Sequence, residues 1–429
     1  MRMNSKIAPM DSYGAIPRTI RNYNRRIVLK AVREKKEFSI AEISNEVMLS
    51  RQSVMKVVNY FIEKNIIISL GKGSSTETGG KRPEMYALSP VQKVLVILQR
   101  TDELHFVLMD LTANILDTVS VEITKDLTDE GFKTAIMEGK MRITEHNPLF
   151  ASQIYGVAMA VGGLVELKNK SLHRSMYFSN LSVGLPVHDI LTEIFTEVSC
   201  VIVDNIGRMA GYSVLLSPNV TEKNNRIFTL YMDRAITGAF FVDGKIQDGQ
   251  VQMMIEVGHM IMDPYDEDKC SCGNCGCAEQ LISIKRVRRD IEKLLVQYPD
   301  SLLGKIPLAA ISFEDIFEGC KKGDKVCVIE VERLAQIIGR LLRNIFLACN
   351  PGTVVFIGNF ANADKHFDEV LRKTLQNDWV YSLRGETFDI MYDQRDLIML
   401  ETLGSAEAVI KAFYNDESLY GKEEEGTNS

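Results

Sequence analysis

No stretch of this 429-residue sequence is apolar for the roughly 18–20 residues that a membrane span requires. The most apolar part, Leu341 to Ile357, is interrupted by Arg343, Asn344 and Asn350. The N-terminus also lacks the look of a secretory leader, because charge and proline occupy Met1 to Met10 where an apolar core is needed. These absences speak against a membrane protein and a secreted, disulfide-stapled domain, and a cytoplasmic location is expected. The last residues, 416–429, lack apolar periodicity and are expected to form a disordered tail. The net charge of −7 is unevenly spread: residues 1–90 hold 16 Lys+Arg against 8 Asp+Glu, and the remainder 34 against 49. A basic head that binds a polyanion, on an acidic body, is the reading.

Cysteine, by contrast, is concentrated. Cys270, Cys272, Cys275 and Cys277 fall within eight residues, preceded by His259 and closed by Glu279. Thiolate and imidazole suit Zn2+, which takes four such ligands in tetrahedral structural sites. Gly273 and Gly276 let the chain turn tightly between the thiols. Disulfides or incidental thiols are the alternative, and nothing at the N-terminus favours them.

Three helical patterns follow one another in the head. In Thr19 to Glu34, Ile27, Val28, Ala31 and Val32 recur at helical spacing among basic residues. Ser39 and Glu42 stand as a capping box before the stripe Ile40, Ile43 and Val47. Ser50 is an N-cap for Val54, Val57, Val58, Phe61 and Ile62, which leaves Arg51, Gln52, Ser53 and Lys56 near the exposed start of that helix. In a helix-turn-helix these positions enter the major groove. Met48 occupies the tight turn where glycine is common. Two strands, Ile66 to Leu70 and Glu84 to Leu88, flank a polar segment that reads as a wing, with Lys81 and Arg82 at its base for phosphates or the minor groove. Residues 1–89 are thus expected to be a winged helix-turn-helix DNA-binding domain, against the plainer reading of a three-helix domain with a linker.

The body alternates strands and helices, so α/β is the class. Lys93 to Gln99 and Leu104 to Asp110 form one hairpin; Arg226 to Met232, Thr237 to Val242 and Lys245–Ile246 form another, which hints at an internal duplication.

At this point the chain resembles the ROK family, which groups sugar-responsive repressors with sugar kinases on one actin-like ATPase (ribonuclease H-like) fold. The resemblance rests on Glu256-Val257-Gly258-His259 followed by Cys270-Ser271-Cys272-Gly273-Asn274-Cys275-Gly276-Cys277-Ala278-Glu279, and in the head on Leu49-Ser50-Arg51 and Gly79-Gly80-Lys81-Arg82-Pro83. It implies a first lobe at 90–205, completed by a C-terminal helix at 400–415, and a second lobe at 206–399 that carries the zinc motif. It also implies zinc on His259, Cys270, Cys272 and Cys277, with Cys275 as an extra thiol. Effector contacts are implied at Gly163, Asn180, Asp204, Glu256, His259 and Glu279.

Where the family kinases have a base, Asp204 survives as a vestigial candidate, but Val203, Ile206 and Tyr212 replace polar neighbours of the pattern. The phosphate-binding glycines are missing from Leu98-Gln99-Arg100-Thr101-Asp102 and from Asp233-Arg234-Ala235-Ile236, and Gly358-Asn359 keeps one of two. The expected function is a DNA-binding repressor of carbohydrate metabolism, not an enzyme. It would bind a palindromic operator as a homodimer or dimer of dimers and sense a sugar or sugar phosphate in a zinc-ordered pocket. The alternatives are a residual ATP-dependent sugar kinase with an appended head, and a zinc-thiol redox sensor acting through Cys275.

Overall fold

A computed structural model describes residues 17–33, 35–73, 82–166, 168–221, 224–248, 256–376 and 388–420. The head holds α1 (Pro17–Arg33), α2 (Ile40–Glu46) and α3 (Arg51–Glu63), with β1 (Phe38–Ser39), β2 (Ile67–Lys72) and β3 (Glu84–Leu88) in the order β1-β3-β2. Strand β1, two residues long and invisible to periodicity, pairs with Tyr86 and Met85 of β3. Ser50 caps α3 by accepting from the Ser53 amide at 3.1 Å. Ser39 caps α2 through the Glu42 amide at 3.2 Å, but the Glu42 carboxylate, instead of closing the box, meets Lys35 at 3.0 Å. Met48 adopts φ 55° and is 90% exposed. The left-handed turn therefore costs about 1 kcal/mol that glycine would not incur.

The body is built on two five-stranded sheets of one plan. In the first, β4 (Lys93–Gln99), β5 (Glu103–Asp110) and β6 (Ile115–Glu122) form an antiparallel meander, and β7 (Ile154–Val161) and β10 (Cys200–Asn205) add in parallel to give β10-β7-β4-β5-β6. Between them, β8 (Gly163–Val165) and β9 (Leu172–Ser175) make a separate hairpin. In the second, β11 (Arg226–Met232), β12 (Ile236–Val242) and β13 (Lys245–Ile246) repeat the meander, and β14 (Thr353–Gly358) and β15 (Asp389–Asp393) add in parallel, giving β13-β12-β11-β14-β15. The repetition that two hairpins suggested thus extends to whole sheets. β4 and β11 lie at the centre of their sheets and are buried on both faces after the first residue, which is why they read as continuous apolar runs.

Two helices join the lobes. The C-terminal helix, Leu397–Asn415, packs on β4, β7 and β10 and on the helix Ile206–Tyr212, which in turn packs on β11 and β12. Of the expected disordered tail at 416–429, residues 421–429 lie outside the described residues, and the part up to Tyr420 departs from the expectation. Residues Glu417–Tyr420 form a 3-10 turn against the head: the Arg25 guanidinium donates to the Tyr420 carbonyl at 2.7 Å, the Tyr60 hydroxyl to the Leu419 carbonyl at 2.8 Å, and Arg26 pairs with Glu417. Tyr420 is 2% exposed, so an apolar anchor orders a segment whose charge predicted otherwise. Among the described residues, no helix is long and apolar enough to cross a membrane.

Candidate effector and metal site

Residues 256–277, ahead of the helix Ala278–Ile282, gather His259, Cys270, Cys272 and Cys277, whose ligand atoms all lie within 4.8 Å of one another. Cys270 Sγ stands 3.5 Å from His259 Nδ1, and Cys272 Sγ 3.6 Å from Cys277 Sγ. A tetrahedron with arms of roughly 2.0–2.3 Å has edges of about 3.5–3.8 Å, which these two distances match, and the four residues together could hold a metal ion. Cys275 stays outside: its Sγ faces the Glu267 carbonyl at 3.7 Å. Gly273 and Gly276 take φ values of 93° and 70°, and a Cβ on Gly276 would lie 1.7 Å from the Asp263 carbonyl oxygen. Arg286 pins the loop to the helix below it through Asp266 at 2.6 Å and Asp268 at 2.9 Å.

A group of carboxylates lies beside this loop. Burial pushes the Glu256 carboxyl up to about 7, with Glu279 and Asp204 adding to the rise and Arg208 opposing it. Glu279 opens the helix Ala278–Ile282, and its Oε2 accepts from the Ile236 amide at 3.0 Å, tying the metal loop to the start of β12. Asp204 is not a free base. Both its oxygens accept from Arg208 Nε at 2.9 Å, and Arg208 also pairs with Asp248. Burial alone lowers the Arg208 pKa, but Asp204 and Asp248 outweigh it and raise it. Gly163 contributes its carbonyl to Asn205 Nδ2 at 2.9 Å, which holds the Gly162–Gly163 turn next to Asp204. Asn180 is exposed, and no hydrogen bond among the described residues ties it to these groups.

The residues aligned with the phosphate turns have partners within the protein, Glu401 of the C-terminal helix among them. Arg100 Nη1 donates to Glu401 Oε2 at 2.5 Å, and the Tyr231 hydroxyl donates to Glu401 Oε1 at 2.8 Å. Burial pushes the Glu401 carboxyl up to about 7, against the pull of Arg100 and the Tyr231 hydrogen bond. Arg100, with a quarter of its side chain exposed, is thus held by a fully buried partner. Gln99 Oε1 accepts from the Gly162 amide at 2.9 Å, and the Tyr177 ring lies where a Cβ on Gly162 would stand, at 2.1 Å. Arg234 lies 5.8 Å from the centre of the Tyr177 ring, and Asn359 Nδ2 donates to Asp233 at 3.3 Å.

In the head, Arg51, Gln52 and Lys56 are exposed on the first turns of α3 and Ser53 is half-buried. Arg82 is exposed before β3; Lys81 lies outside the described residues.

The profile of the ROK family matches residues 101–395. The chain belongs to the ROK family. It is 23% identical over 348 residues to a xylose repressor of Caldicellulosiruptor bescii, covering 80% of this chain and 84% of that one. It is 22% identical over 353 residues to the Escherichia coli DNA-binding transcriptional dual regulator NagC, covering 81% and 82%. Among solved structures it matches a ROK family transcriptional regulator, a homolog of the E. coli MLC protein, with TM-score 0.74 at 17% identity over 94% of this chain and all of that one. A ROK family glucokinase from Streptomyces griseus, solved with glucose and AMPPNP, matches with TM-score 0.59 at 18% identity over 74% of this chain and 98% of the other.

Within this ROK fold, the sequence reading missed three residues of the site. Arg208 follows Asp204 by four positions, but Asp204 stands in β10 and Arg208 on the next helix, so the pair forms across the strand–helix junction and no helical period announced it. Glu401 and Tyr177 gave no signal either, because both reach Arg100 or its neighbours only through the tertiary fold.

Proposed function

We propose that this ROK protein is a DNA-binding transcriptional repressor of carbohydrate metabolism whose effector is a sugar or sugar phosphate. What supports the reading is the contrast between two clusters: His259, Cys270, Cys272 and Cys277 keep Glu256, Asp204 and Glu279 beside them, while Arg100, Glu401 and Tyr231 pair with one another near positions where the family kinases have phosphate-binding glycines. Arg100 and Asp233 stand in stretches where the family kinases have glycines whose backbone amides approach phosphate, which counts against ATP chemistry. Zinc held by His259, Cys270, Cys272 and Cys277 would fix the loop and the imidazole plane. Glu256 and Glu279 would then accept hydrogen bonds from sugar hydroxyls, with Gly163 and Asn180 completing the rim. Asp204 serves this pocket by orienting Arg208.

The head reads DNA with Arg51, Gln52, Ser53 and Lys56 in the major groove, while Lys81 and Arg82 contact phosphates. A homodimer or dimer of dimers on a palindromic operator follows from helix-turn-helix geometry. Effector binding loosens DNA because it prefers one arrangement of the lobes. Selection of duplexes from a random pool tests this: the enriched sites should be twofold symmetric, and a single asymmetric half-site bound by a monomer would overturn it. On the selected site, Arg51→Ala and Gln52→Ala should each relax base preference by about 1–3 kcal/mol, whereas Lys81→Ala should mainly reduce the salt dependence. A panel of sugars and sugar phosphates should include one that raises the melting temperature and weakens the DNA complex. ATP-dependent phosphorylation of a hexose at enzymic rates would favour the kinase reading.

A further inference from the structure

A cleft of about 670 Å³ opens where the head meets the body, away from the metal loop. Helix α1 lines it with Arg26, Lys30 and Arg33, the C-terminal helix with Lys411, and strand β13 with Lys245. Arg33 pairs with Glu407 and Arg26 with Glu417, and Lys411 Nζ donates to the Gly244 carbonyl at 2.6 Å. Counting Asp243 in the lining, five cations face three carboxylates, which leaves two positive charges in excess. Lys30 and Lys245 are exposed and make no ion pair among the described residues. Burial lowers the Lys411 pKa, and although Glu407 resists this, Arg33 and Lys30 lower it further. A second observation is independent of charge. Tyr414 lines the same cleft, and its hydroxyl is buried with no hydrogen-bond partner among the described residues. An unsatisfied buried donor costs about 1–3 kcal/mol, and an anionic acceptor would remove that cost.

We infer that this cleft binds a small phosphate ester, its dianionic phosphoryl group set among Lys30, Lys245, Lys411 and the Tyr414 hydroxyl. The volume suits such a ligand, since small-molecule sites span roughly 300–1,000 Å³. A phosphoryl group matches the charge excess and supplies several strong acceptors. Because α1 belongs to the head and the C-terminal helix to the body, a bound ester bridges the two and holds the head in its docked position. The site is separate from the zinc-side pocket and does not depend on what that pocket binds.

Calorimetric titration of the full-length protein at matched ionic strength tests the inference, with glucose 6-phosphate, AMP and inorganic phosphate as separate probes. At least one ester should bind once per chain, and which one binds tells a sugar phosphate from a nucleotide. The double change Lys30→Gln and Lys245→Gln should weaken that binding about tenfold, and Tyr414→Phe about threefold. Glu279→Gln should leave it unchanged, which separates this cleft from the zinc side. No ester binding below about 10 mM, binding of inorganic phosphate alone, or an affinity indifferent to the double change would each overturn the inference. So would a double variant that loses affinity for random duplex DNA while no ester binds the parent, because the cations would then serve the DNA backbone.

Discussion

The body holds two clusters in which an arginine is paired with a carboxylate, and their settings differ. Near the metal-ligand group, Arg208 is clasped by Asp204 and Asp248, with Glu256 and Glu279 beside it, and Asp248 keeps a side-chain exposure of 45%. In the other cluster, Arg100 meets Glu401, whose side chain is fully buried, with Tyr231 and Tyr177 packed near it. Charge is left partly exposed in the first and is satisfied internally in the second.

Removing the metal should break the comparison most severely. Chelation is expected to lower the melting temperature by about 10 °C or more, because thiolates held within contact distance lose the cation that lets them stay charged together. Calorimetry with metal analysis checks this, and a chelated protein free of metal with an unchanged melting temperature would exclude a structural ion. Next in size is Arg100→Met, expected to destabilise by about 1–3 kcal/mol at pH 8 and by much less at pH 5.5.

The sign of that pH effect follows from Glu401. Its folded carboxyl is raised to about 7 from 4.5 by burial, so the contribution is favourable below the unfolded value and is lost as pH rises through 7. Urea unfolding across pH 5 to 8 should show stability falling in that window and a flatter profile for Glu401→Gln; an identical profile would mean that Glu401 does not titrate there. The smallest effect is expected for Cys275→Ser: zinc content unchanged and stability within about 0.5 kcal/mol of the parent. A metal loss on that change would move Cys275 into the ligand set and return the thiol to consideration as a sensor.

Legibility in the sequence followed the range of the contacts. Caps, helix faces and the metal loop are local, and Ser50, Val54 to Phe61 and the cysteine spacing declared them in advance. The central strands were legible because burial on both faces leaves an apolar run. Strand β1 was not, because two residues carry no period, and it exists only through β3. Glu401 looked like an ordinary helix residue; its partner Arg100 lies 301 positions away. Asp204 illustrates a subtler limit, since Arg208, which clasps it, lies only four positions on, past the strand–helix junction, but is itself held by Asp248, 40 positions further.

The hydrogen bond from Arg25 to the carbonyl of Tyr420 spans 395 positions of sequence. Residues 417–420 thus brace the head from the opposite end of the described chain, adding to the Arg33–Glu407 pair. A chain cut after Asn415 is expected to keep that pair and lose those contacts, so the head should be held less firmly on the body. Steadiness between the two parts therefore rests on a short, late segment rather than on a broad interface.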